Sequence, residues 1–123
     1  MTPDYVIQHI TARGHEDIEP SVTLCRHWFH VWNRAEFNCS LPTPRFIVTD
    51  KKEDEVCGEF WAEPGVGYLR INAPYTRSRH LFIATMLHEM LHLQQWVNDI
   101  EPGHDDEFNI LASCYSLKYG IDV

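Results

Sequence analysis

The chain has 123 residues, 44% of them hydrophobic, and a formal charge of −8 from 18 acids against 10 bases. That size suits one core, so residues 1–123 read as a single domain, while the acidic balance opposes broad nucleic-acid binding. No stretch reaches the ~18 consecutive apolar residues of a membrane span, and four scattered cysteines without a C-x-x-C pair fit neither a zinc ribbon nor a disulfide framework.

Residues 3 to 12 carry a weak helical pattern, followed by the polar connection "ARGHEDIEP". Pro20 and Ser21 can start a helix, and from Val22 to about Phe37 the residues Leu24, Trp28, Val31, Trp32 and Ala35 recur at three and four. "RFIVTD" (45–50), "VCGEFWA" (56–62) and "VGYLRIN" (66–72) read as three strands. The charged turn "KKEDE" and the turn "EPG" between them suit two successive antiparallel hairpins. Ser78 is a candidate N-cap for a long apolar helix from about Arg79 to Asn98. Pro102 and Gly103 break it, and a last helix from about Asp105 to Tyr119 has Gly120 as its stop. The expected fold class is α+β: an N-terminal helix, a small and mainly antiparallel three-stranded sheet, a core-traversing helix and a C-terminal helix.

The core-traversing helix contains "HEMLH". Residues i and i+4 lie one turn apart on one helix face, so His88 and His92 can aim imidazole nitrogens at one ion. Glu89, rotated by about 100° from His88, can lean over an open coordination position as a base. Two histidines and a glutamate amid Leu87, Met90, Leu91 and Leu93 would be costly to bury without partners, and a metal supplies one. A catalytic zinc takes three protein ligands plus water. The break at Pro102-Gly103 turns the chain back, which favours His104 as the third, with Asp99, Asp105, Asp106 and Glu107 as rivals.

"HEMLH" followed by "GHDDEF" resembles the SprT-like (Spartan-type) zinc metallopeptidases. "WFHVWNRAEFNCSLPTPRFIV" is similar to that family's helix and first strand, and "CGEFWAEPGVGYLRIN" to its hairpin, so the resemblance spans about residues 20–120. It implies a zincin-like minimal domain that binds Zn2+ through His88, His92 and His104 and uses Glu89 as catalytic base. It also implies a metalloendopeptidase acting on protein or peptide substrates, among them DNA-associated or crosslinked proteins. The sequence departs from many relatives in showing neither a zinc ribbon nor DNA-binding extensions, and its charge opposes the DNA contact that crosslink-repair members need.

The remaining candidates have plainer readings. His27 and His30 fit surface or groove positions, His80 is a candidate to support the metal ligands, and His9 and His15 carry no usable spacing. The four tryptophans fit core positions. Tyr68, Tyr75 and Tyr115 are candidate transition-state donors. A peptide substrate could add to a sheet edge, with "VGYLRIN" the candidate strand. The expectation is thus a zinc-dependent peptidase in a cytoplasmic compartment with reduced thiols, nucleoid or nuclear association being left open and no membrane partner expected. The alternative is a catalytically inactive zinc-binding interaction module, whose metal a fourth protein ligand such as Asp99 or Asp105 would close off.

Overall fold

A computed structural model describes residues 3–123. The order is α1 (Pro3–Arg13), α2 (Val22–Glu36), β1 (Arg45–Thr49), β2 (Gly58–Glu63), β3 (Val66–Asn72), α3 (Arg79–Val97) and α4 (Asp106–Tyr119), with short 3-10 turns at Lys52–Asp54 and Ala73–Tyr75. Four helices and one three-stranded sheet make the α+β arrangement expected from the pattern.

Local chemistry explains the helix ends. Ser21 caps α2 by accepting from the Leu24 N–H at 3.0 Å, and Asp105 caps α4 by accepting from the Phe108 N–H at 2.8 Å. Gly120, at φ 68°, ends α4 in the left-handed conformation that glycine adopts without a Cβ penalty. Ser78 precedes α3 as expected, yet its side chain makes no capping hydrogen bond.

The sheet departs from two successive hairpins. Its order is β1-β3-β2: β2 and β3 pair antiparallel, but β1 pairs with β3 in parallel, Arg45 beside Tyr68 through Thr49 beside Asn72. The charged connection is longer than a hairpin turn and wraps around the end of β3, where Asn72 holds it. The Asn72 amide donates to the Lys51 and Val56 carbonyls (2.8 and 3.0 Å) and accepts from the Lys51 N–H at 2.9 Å. With its polar backbone satisfied there, the chain can carry β2 to the far side of β3. The strand "VGYLRIN" is therefore central, and β2 is the edge strand nearer α3.

Along β3, Leu69 and Ile71 are buried while Tyr68 and Arg70 face the opposite, partly open side. The helices cover the buried face. α3 packs on β2 and β3 and α2 on β1, and the two helices meet each other, with Phe82, Ile83, Met86, Leu87, Met90 and Leu93 fully buried in one core with Trp28, Phe29 and Trp32. Trp32 Nε1 donates to the Ile83 carbonyl at 3.0 Å, which fixes the depth of α3 in the core. Trp28 and Trp32 are core as expected. Trp61 instead stacks on Tyr68 on the open sheet face, ring centres 5.2 Å apart, and Trp96 is half-buried against Phe60.

Candidate metal centre

His88, Glu89 and His92 sit in the middle of α3, where the helix is most deeply packed. The loop after α3 returns through Asp99, at φ 59°, and brings His104 back over them at the head of α4. His104 Nε2 lies 3.1 Å from His88 Nε2 and 3.1 Å from His92 Nε2. Phe108 closes the cluster from below, stacked on His92 with ring centres 4.4 Å apart.

The hydrogen bonds behind the rings fix which nitrogens face inward. His88 Nδ1 donates to the backbone oxygen of Val123 at 2.6 Å, and His92 Nδ1 donates to Gln95 Oε1 at 2.8 Å. Both protons are thereby placed on Nδ1, leaving both Nε2 lone pairs aimed at His104. Two lone pairs thus converge on one point beside His104 Nε2, an arrangement that either a proton on His104 or a bound cation satisfies. Tetrahedral zinc with bonds of ~2.0–2.1 Å needs nitrogens ~3.3 Å apart, close to the spacing found. Burial lowers the pKa of both His88 and His92, so both rings favour the neutral form that can ligate. The donor set fits a divalent metal of zinc's kind.

Among the described residues, no carboxylate joins this group. Asp105 is engaged as the α4 cap, and Asp99, Asp106 and Glu107 are exposed. Glu89 is 5% exposed and outside the imidazole cluster. Burial, with a smaller contribution from the Glu59 charge, pushes its carboxyl up to about 8. It lines a cavity of about 280 Å³ with His88, Thr85, Gly58, Cys57 and Asp122. A second cavity, of about 410 Å³, opens on the other side of His88 beside His104, Asn109 and Ser116.

The other candidates lie elsewhere. His80 donates from Nδ1 to the Gly14 carbonyl at 2.7 Å and ties α3 to the end of α1, so it does not support the three-histidine cluster. His27 and His30 are exposed on α2. Tyr68 bonds Glu63, Tyr75 bonds the Lys52 carbonyl, and Tyr115 packs near Tyr119; none of the three lines either cavity beside His88.

Sequence reasoning passed over three residues at this site. Gly58 brings the edge strand against α3: a Cβ there would lie 2.8 Å from Thr85 Cγ2, 2.9 Å from the Arg70 carbonyl oxygen and 3.3 Å from Glu89 Cγ. Gln95, three residues past His92 and so on a neighbouring helix position, could have been found from that spacing. The Val123 backbone oxygen has no sequence signature at all.

Residues 25–118 match the model of the SprT-like family, well over half of the chain. No curated protein matches it.

Proposed function

The chain belongs to the SprT-like family, and on that premise we propose that it is a zinc-dependent metallopeptidase, with residues 1–123 acting as one catalytic domain. His88, His92 and His104 hold the metal, and Glu89 is the general base. The observation that carries this reading is the convergence of three imidazole nitrogens, two with their tautomer set from behind, beside a buried glutamate and with no fourth protein ligand among the described residues. A closed structural site would need that fourth ligand.

When bound, zinc supplies Lewis-acid polarisation of the scissile carbonyl and lowers the pKa of a water towards ~7. The chain's own groups do the rest. Glu89, buried beside the three histidines, takes the water's proton and delivers it to the leaving amine. The free edge of β2, held against α3 where Gly58 has no side chain, aligns an extended peptide by strand addition. Proteins are the substrate class, with DNA-associated or crosslinked proteins the group that the family likeness suggests. The −8 charge favours recognition of the protein part over the nucleic acid.

Glu89→Gln tests the mechanism, because the amide keeps the size but cannot accept the proton. The variant should fold, keep its metal and hydrolyse an unfolded-protein substrate at least ~100-fold more slowly, the lower end for losing a general base. Equal cleavage by the variant and the parent, with a chelator control against contaminating proteases, would refute the mechanism. Bound metal with no cleavage by either would favour the interaction-module alternative.

A further inference from the structure

The side chain of Gln95 makes three hydrogen bonds to two different parts of the site. Its Oε1 accepts from His92 Nδ1 at 2.8 Å and from the Gly103 N–H at 3.1 Å, while its Nε2 donates to the Gly103 carbonyl at 3.0 Å. The two bonds to Gly103 copy the donor–acceptor pairing of a strand ladder. They also determine the amide's orientation, since a flipped amide would set its NH2 against an N–H and its oxygen against a carbonyl. With the oxygen thus held towards His92, the ring must carry its proton on Nδ1 and present the Nε2 lone pair. The residue whose backbone sets that orientation, Gly103, immediately precedes His104.

We infer that Gln95 is a positioning residue that fixes the tautomer of His92 and, through Gly103, the approach of His104. One amide thus holds two ligands from two separate elements in register. Among the described residues, no other side chain bonds both α3 and the returning loop in this way: the His104 carbonyl is held from the α4 side, by the Asn109 amide at 3.2 Å. Hydrogen-bond partners behind ligating histidines commonly contribute 10–100-fold to metal affinity, and the second task of ordering the loop falls on the same amide. Gly103 itself needs no special conformation, since a Cβ there meets only the Glu101 carbonyl oxygen at 4.0 Å. Its contribution is its backbone donor and acceptor.

This inference rests on the three-histidine ligand set, and its test separates the two. Co2+ is added to the metal-stripped full chain and followed by competition with a chromophoric chelator and by visible ligand-field absorption. Gln95→Met, similar in size but without the hydrogen bonds, should bind Co2+ about 10–100-fold more weakly and with a changed spectrum. Its metal-free thermal midpoint should stay near that of the parent. Gln95→Glu, which keeps both acceptor contacts but sets its second oxygen against the Gly103 carbonyl, should recover only part of the loss. Unchanged affinity and spectrum in Gln95→Met, while His104→Ala loses Co2+, would overturn the role of Gln95 and leave the ligand set standing. Retention of Co2+ by His104→Ala would overturn the ligand set and this inference with it. The parent chain gives a readout that needs no variant: ring 15N shifts should place the His92 proton on Nδ1 without metal, and an Nε2–H tautomer would overturn the proposal.

Discussion

His88 and His92 stand on a helix whose inward residues are fully buried, whereas His104 stands on an exposed turn whose helix, α4, buries only Phe108, Ala112 and Tyr119. The outer face of α4 leaves Ile110 65% and Leu117 87% exposed. The two walls of the site therefore hold the same kind of side chain by different means. On α3, packing sets the backbone and the side chains follow. On the α4 wall, individual hydrogen bonds do the placing: Gln95 to Gly103, Asp105 to Phe108, Asn109 to His104. A site assembled this way has a rigid half and a half that a few polar contacts complete.

Four measurements can break or sharpen that contrast. Leu87→Ala removes a fully buried side chain from α3 and should cost about 2–5 kcal/mol in denaturant unfolding. A loss under about 1 kcal/mol would show that α3 is less tightly embedded than its burial implies. Metal removal should come next. A metal at 100 times its dissociation constant stabilises the folded state by about 2.7 kcal/mol. Chelation should therefore lower the thermal midpoint, with faster amide exchange concentrated in residues 99–119 and little change in residues 82–93. Uniform exchange across both walls would erase the distinction. Asp105→Ala deletes the α4 cap and should cost about 1 kcal/mol. Because His104 is the preceding residue, metal affinity should fall as well. Leu117→Ser, on the exposed face, should stay within about 0.5 kcal/mol in a thermal scan, and a larger loss would mean that this face is covered in solution.

The same contrast governs what the amino-acid order discloses. Apolar spacing locates α3 to within a residue at each end, because a buried helix must repeat its apolar residues around the axis. Within it, His88, Glu89 and His92 follow from one turn of helix. His104 follows from the break at Pro102-Gly103, and the structure brings its ring to the other two. The antiparallel β2–β3 hairpin was legible from its short turn, but the place of β1 was not. Each strand shows its own alternation, but nothing local says that Arg45–Thr49 will lie beside Val66–Asn72 rather than beside Gly58–Glu63. That choice depends on the Asn72 side chain holding a connection it is distant from in sequence. Placing the edge at "VGYLRIN" failed for the same reason. The bonds to His88 and His92 from Val123 and Gln95 were equally hidden, since a backbone oxygen or a lone glutamine has no distinctive pattern.

The order β1-β3-β2 also has a consequence in time. β2 and β3 are joined by a tight turn in which Gly65 takes φ 81°, so their ladder closes over a short loop and can form early. β1 leaves the ribosome first, yet it has no partner until β3 has emerged and the charged connection has been laid around its end. The first-made strand is thus the last to find its place, and its non-local pairing should limit the folding rate. Until then Phe46 and Val48 have no sheet to cover them, a brief interval of apolar exposure during synthesis.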